Sequence, residues 1–260
     1  MTGEEKIKAH LSLPSDKRPE IHYYKTTDST NQRAKEYAKK RNTAATDPVV
    51  FFAEEQTGGR GRLGRSFHSA SGGAYISFLI YPEMAAERAT SITAYAAVIL
   101  AGVVRELCGT EPEIKWVNDL YLGGKKLAGI LTEGEILSDG SLSYAVCGIG
   151  INLAKGRLPA ELSAIATSVE EETGVTLDPA LVAAKLTDAF ISGLGNTLSP
   201  EIYEEYKRLS YTLGKEVTVL ESTPFEGVAT DILPDYSLVV REGEKYRRVF
   251  SGEVSIRHKK

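Results

Sequence analysis

Three arginines lie on a glycine-rich loop at Gly58-Gly59-Arg60-Gly61-Arg62-Leu63-Gly64-Arg65, shortly after the apolar run Val49–Ala53. Glycine lets the backbone come close to a ligand and turns its N–H groups outward, while each guanidinium is a planar fork that matches phosphate and carboxylate oxygens. The chemistry on offer is the gathering of negative charge. More cations follow about fifty residues on, at Lys115 in the string Lys115-Trp116-Val117-Asn118-Asp119 and at Lys125-Lys126. Taken alone, the loop could equally be a solvated arginine turn, and an Asn-Asp pair is usually a turn.

Gly59, Gly61 and Gly64 also have the G-x-G-x-x-G spacing of a dinucleotide site, with Glu83 roughly twenty residues beyond. That fingerprint requires the third glycine to open a helix whose N-terminus faces pyrophosphate. Residues 66–81 instead hold a Gly72-Gly73 turn and then an apolar, aromatic stretch suited to a strand. No Gly-Lys-Ser/Thr follows the glycines, which excludes a P-loop. Cys108 and Cys147 stand far apart without a C-x-x-C, and His10, His22, His68 and His258 are scattered, so neither a zinc site nor a Ser/His/Asp triad is indicated.

Other strings decide how the loop is read. Asp28-Ser29-Thr30-Asn31, Glu55-Gln56-Thr57 leading into GGRGRLGR, KWVNDLY from Lys115, KKLAGILTE from Lys125 and CGIGINL from Cys147 occur in that order over about 125 residues. In these the chain resembles the biotin protein ligases, and the similarity runs from about Ile21 to the end. The resemblance implies an α+β fold with a central mixed β-sheet flanked by helices, like that of class II synthetases and the biotin/lipoate ligase catalytic domain. It also implies a small C-terminal Src-homology-like β-barrel. The implied reaction is activation of biotin by ATP as biotinyl-5'-AMP with release of pyrophosphate, then transfer of biotin to a lysine of a biotin carboxyl carrier protein domain.

By the same resemblance, biotin contacts fall on Ser29, Thr30, Asn31, Gln56, Arg60, Gly61, Arg62, Lys126 and Gly129. ATP and adenylate contacts fall on Arg62, Arg65, Lys115, Asn118, Asp119, Gly148 and Asn152. Lys126, Arg60 and Asp119 are the implied catalytic residues: Lys126 touches both the carboxylate and the α-phosphate, and Asp119 orients a cation or assists a metal. Joining two anions makes charge neutralisation the main task. Mg²⁺ is expected to arrive with ATP, held mainly by phosphates, with no protein ligand assigned. Plainer roles stay open for several of these residues. Spacing alone favours helix capping for Ser29, Thr30 and Asn31, a solvated strand end for Gln56, and β-bulges as much as ligand contact for Gly129, Gly148 and Gly150. Where the family often has proline the chain has Val117, taken as a strand residue.

The elements that must position these residues follow from periodicity. Residues 49–55, 74–81, 127–136 and 142–152 read as strands, the last two a hairpin through Ser138-Asp139-Gly140. Residues 32–41 and 91–107 read as helices, with a short helix at 169–173, one from Asp178-Pro179 to about Leu194 and one from Pro200 to about Leu209. The expected domains are a tail or short helix over 1–20, a catalytic domain over 21–213 and the small β domain over 214–260. The barrel holds none of the assigned residues and is expected to serve carrier docking or acyl transfer. Twenty residues cannot build the N-terminal DNA-binding domain that some family members carry.

A formal net charge of −4 makes the chain a poor general binder of nucleic acid. No apolar run is read as approaching the roughly twenty residues of a membrane span, and no signal peptide is evident. The expected partner is therefore the carrier domain, with no DNA and no membrane, in a reducing cytoplasm. A homodimer is allowed by exposed sheet edges. The rival readings are a lipoate-protein ligase and a non-catalytic module that senses biotinyl-adenylate.

Overall fold

The computed structural model describes residues 2–41, 46–220, 223–250 and 252–256. Two largely apolar runs set its centre: β2 (Val49–Ala53) and β3 (Gly73–Ile80) are buried at every position. Strands without polar alternation need cover on both faces. One face of the pair presents Val50, Phe52, Ile76, Phe78 and Ile80 to the main core. The other presents Val49, Phe51 and Leu79 to a smaller cluster built on Ala34 of α2 (Thr30–Lys40).

β1 (Glu20–Tyr24) runs parallel to β2, and the remaining neighbours are antiparallel. With β4 (Glu113–Lys115), β5 (Asp119–Leu122), β6 (Lys125–Ile136) and β7 (Leu142–Asn152), they form a mixed sheet ordered β1-β2-β3-β7-β6-β5-β4. β6 and β7 are the hairpin read from the sequence. At its turn Asp139 Oδ1 accepts from Ser141 N, and Gly140 has φ +83°. Val117 lies in the turn between β4 and β5, not in a strand.

The main-core face is covered by α3 (Thr90–Cys108) and α5 (Pro179–Ser192). Asp178 caps α5 by accepting from Ala180 N, and Pro179 occupies its first turn, where a missing N–H costs nothing. One sequence reading needs correcting here. The segment Ala86–Cys108 is long and apolar enough to cross a membrane, but in the fold it is largely the core helix of the main layer. α1 (Gly3–His10) starts with a capping box between Thr2 and Glu5 and packs on α5 through the buried Ile7. The chain after it is tied down because Asp188 of α5 accepts from Ser12 N and Leu13 N.

After α4 (Val169–Thr173), α5 and α6 (Pro200–Arg208) the texture changes to short strands. β8 (Glu216–Leu220), β9 (Phe225–Ile232), β10 (Leu238–Glu242), β11 (Lys245–Val249) and β12 (Glu253–Ile256) make an antiparallel sheet ordered β11-β10-β9-β8-β12. This small β unit is welded to the larger one. Trp116 Nε1 donates to Tyr236 O at 2.7 Å, Tyr203 Oη donates to Ile232 O at 2.7 Å, and the buried side chains of both units form one continuous core.

Candidate active site

The site opens at the start of α2, where the sequence offers a run of capping residues. Ser29 is the N-cap by backbone, yet its side chain makes no capping bond. Gln56 does that work from the neighbouring segment: its Oε1 accepts from Thr30 N at 2.8 Å. Thr30 and Asn31 are thereby free to turn inward, and both are buried. Asn31 Nδ2 donates to Leu131 O at 3.2 Å and to Glu133 Oε2 at 2.8 Å, while Ser77 Oγ lies 2.6 Å from Asn31 Oδ1 and 2.7 Å from Thr30 Oγ1. Gln56 Nε2 continues the network to Ser69 Oγ at 3.1 Å, which donates to Phe67 O at 3.0 Å. Polar groups this far from water are stable only when hydrogen-bonded, and here they satisfy one another.

The strand glycines complete this floor. Gly129 and Gly150 face each other in an unbroken stretch of the β6–β7 register, whose shift falls at Glu135/Ile136. No bulge explains them. A Cβ on Gly150 would meet the Phe67 ring at 2.6 Å, and one on Gly129 would meet it at 3.1 Å, so the bare backbone makes room for a flat group. At Gly148 a Cβ would overlap Asn31 Oδ1.

Above the floor the charge is lopsided. Arg60, Arg62, Arg65, Lys115 and Lys126 line the cavity, and Asp119 is the one carboxylate among the described lining residues. Lys126 Nζ lies 2.7 Å from Asp119 Oδ1. That distance makes an ion pair but the angle makes no hydrogen bond, so this buried oxygen has no donor among the described residues. The Lys126 backbone is held on both sides, by Ile165 O and Thr167 N. Lys125 lies outside the lining. Asn118 is clamped between Arg62 Nη1 at 3.2 Å and Ile130 O at 2.9 Å.

The arginine loop closes at its base through Phe67 N to Gly59 O at 2.9 Å and Gly61 N to Arg65 O at 2.7 Å. Its tip is a single 3₁₀ turn in which Leu63 (φ 56°) and Gly64 (φ 74°) are both left-handed. A leucine there costs roughly 1–2 kcal/mol, and this one is 76% exposed. Ser29, Gly61 and Gly148 also line the cavity.

Asn152 is the one sequence-assigned residue that the structure does not bring in. It lies outside the lining and its Nδ2 donates to Thr167 O at 3.0 Å. Five participants went unread. Ser77 had a signal, as a polar residue inside the apolar string GAYISFLI, and Glu133 as the end of the string KKLAGILTE, where no role falls on it; Phe67, Gly252 and Val254 had none. The last two belong to the small β unit, which holds none of the sequence-assigned residues, and both line the cavity. Burial pushes the Cys147 thiol up to about 12, so beneath the floor it is a neutral packing group. Among the described residues no cluster of three His, Cys, Asp or Glu side chains could hold a metal ion.

The biotin/lipoate A/B protein ligase family matches residues 23–152, which contain the floor, the arginine loop and Lys126. The chain belongs to this family. It is 31% identical over 242 residues to a bifunctional ligase/repressor of Bacillus subtilis, covering 90% of this chain and 73% of that protein. It is 36% identical over 169 residues to a biotin--[acetyl-CoA-carboxylase] ligase of Paracoccus denitrificans, covering 63% and 68%. The fold superposes on a biotin protein ligase from Aquifex aeolicus in complex with biotin and ATP with a TM-score of 0.76, at 28% identity, covering 92% of this chain and 99% of that one. The family member described here is therefore an enzyme, a ligase, with the mixed sheet and small second β unit expected of it.

Proposed function

We propose that this chain is an ATP-dependent biotin protein ligase. The observation that carries the reading is the pairing of two unlike surfaces in one cavity: a buried, hydrogen-bonded floor and five cations facing one carboxylate. In the first step a biotin carboxylate oxygen attacks the α-phosphorus of ATP, a carbon–oxygen–phosphorus bridge forms, and pyrophosphate leaves with the broken bond's electrons. Lys126 neutralises the carboxylate and the α-phosphate as they approach, and Arg60, Arg62, Arg65 and Lys115 receive the phosphates. Asp119 holds Lys126 in place. Mg²⁺ would be held chiefly by the phosphates, with no protein ligand assigned, since Asp119 Oδ1 already faces the Lys126 ammonium at 2.7 Å.

In the second step the uncharged amine of a carrier lysine attacks the acyl carbon, AMP departs, and the nitrogen loses a proton. The arginine loop retains the adenylate until then. The acceptor is a biotin carboxyl carrier domain, in keeping with the names of the relatives. Two free cysteines suit a reducing cytoplasm. The family also includes lipoate ligases, and the floor separates the two. A ureido ring has donors and an acceptor to meet the bonding capacity that Thr30 and Gln56 keep beyond their bonds within the protein, whereas a dithiolane ring has no N–H or carbonyl to offer it. The test is to mix the protein with ATP, Mg²⁺, biotin and a carrier domain and weigh the carrier. A single biotinyl mass increment on its acceptor lysine is expected, and an increment only with lipoate would refute the assignment.

A further inference from the structure

The hydrogen bonds of the floor have a direction, and that direction is set outside the ligand cavity. Asn31 Nδ2 faces Leu131 O and a Glu133 carboxylate oxygen, both of which only accept. Flipping the amide would set its oxygen against both, so the partners fix which end is nitrogen. Asn31 Oδ1 therefore faces Ser77 Oγ at 2.6 Å, and the proton between them must be Ser77's. Ser77 has one proton. Its 2.7 Å contact with Thr30 Oγ1 then needs Thr30's proton, and Thr30 is left with only lone pairs for the cavity. Were Thr30 to donate to Gln56 Oε1 instead, at the longer 3.1 Å, the Ser77–Thr30 oxygens would touch with no proton between them.

The first link in this chain is the carboxylate. Glu133 and Lys35 lie outside the cavity lining and form a partly buried pair at 2.7 Å, Nζ to Oε1. Burial works against the charge on Glu133, but hydrogen bonds from Lys35 and Asn31 and the charges of Lys35 and Arg60 outweigh it and hold the carboxyl below its ordinary range. An ionised Glu133 accepts only. A protonated one could donate, and the order of the chain would then rest on Leu131 O alone, at the longer 3.2 Å.

We propose that Glu133, paired with Lys35, is a positioning residue that sets the Thr30 hydroxyl as a hydrogen-bond acceptor, so that the floor selects a ring bearing an N–H. This rests on the biotin reading and adds to it a specificity device that touches no substrate atom. It acts through Asn31 and Ser77.

The experiment uses the full chain and two readouts. Calorimetry gives the Kd of biotin and of the two cyclic carbamates in which one or the other ureido N–H is replaced by oxygen; exchange of pyrophosphate into ATP gives KM for biotin and for ATP. Wild type is expected to prefer biotin over at least one carbamate by about tenfold or more, the loss typical of a buried hydrogen bond left unmade. Glu133→Ala should raise the biotin Kd and KM about tenfold, leave KM for ATP within about twofold, and reduce the preference over the carbamate. Glu133→Gln keeps an acceptor for Asn31 and should recover most of the loss. Ser77→Ala cuts the same chain further along, so it should give the same biotin-selective defect, and adding Glu133→Ala to it should cost little more. If Glu133→Ala does not fold, Ser77→Ala and Glu133→Gln carry the test. An unchanged N–H preference in Glu133→Ala or Ser77→Ala, equal rises in both KM values, or additive losses would overturn the proposal. A wild-type protein with no biotin-dependent exchange would overturn the ligase reading itself.

Discussion

The floor of the cavity and the arginine loop above it are built in opposite ways. Thr30, Asn31 and Ser77 are buried and hydrogen-bonded to one another, and Gly148 leaves no room for even a methyl group. The loop closes at its base by two backbone bonds and ends in a left-handed tip that exposes Leu63. A floor of this kind recognises a ligand with little rearrangement, because its dipoles are already aimed. A loop of this kind can move, because few packed contacts hold its tip. In the proposed reaction, recognition belongs to the first and retention to the second.

The largest effect should come where the two meet. Lys126→Ala removes the cation proposed to face both reacting anions, so biotin-dependent exchange should fall on the order of a hundredfold or more while circular dichroism stays native. Retained activity would show that the arginines suffice without it.

Gly148→Ala probes the floor alone. The added methyl must displace Asn31, and overpacking of this kind costs about 1–3 kcal/mol. The expected result is a lower Tm together with a raised KM for biotin and a nearly constant KM for ATP. A normal biotin KM would mean that the floor yields more readily than its hydrogen bonds suggest.

Arg62→Gly probes the loop. It removes the contact to Asn118 and one cavity cation, a charge-assisted interaction worth about 1.5–3 kcal/mol. Escape of biotinyl-adenylate, followed by stopped flow, should quicken, with stray labelling of bystander lysines. Unchanged escape with slowed chemistry would move Arg62 from retention to catalysis.

The smallest effect should lie far from both regions. The Glu111 carboxyl is held down to about 2, first by the Arg208 hydrogen bonds and then, against some desolvation, by Arg105. A carboxyl lowered from 4.5 adds stability that is complete above about 4.5 and is lost as pH falls towards about 2. Glu111→Gln should flatten the acid limb of Tm in that window and leave exchange activity untouched, and a solvent-exposed cluster sets only a small amplitude.

What the sequence revealed divides along the same line as the two regions. The β2 and β3 runs, the β6–β7 hairpin and the Asp178-Pro179 start of α5 were legible because each is a local pattern of hydrophobicity or capping. The cations were legible as residue types. The floor was harder, because its meaning lies in contacts across long stretches of chain: Thr30 with Gln56 and Ser77, Asn31 with Glu133. For the strand glycines the sequence allows a bulge or a ligand contact, and the structure supplies a third element, since Phe67 and Asn31 already occupy the space above them. Nothing local to Gly252 or Val254 could announce that a strand of the small β unit returns to the cavity wall.

The most direct test of the account is the exchange of labelled pyrophosphate into ATP by the purified chain, run with biotin, with lipoate and with neither. A cavity that brings a ureido-bearing carboxylate to the α-phosphate predicts exchange that requires biotin and is near background in the other two. Exchange driven by lipoate, or equal exchange in all three, would contradict it.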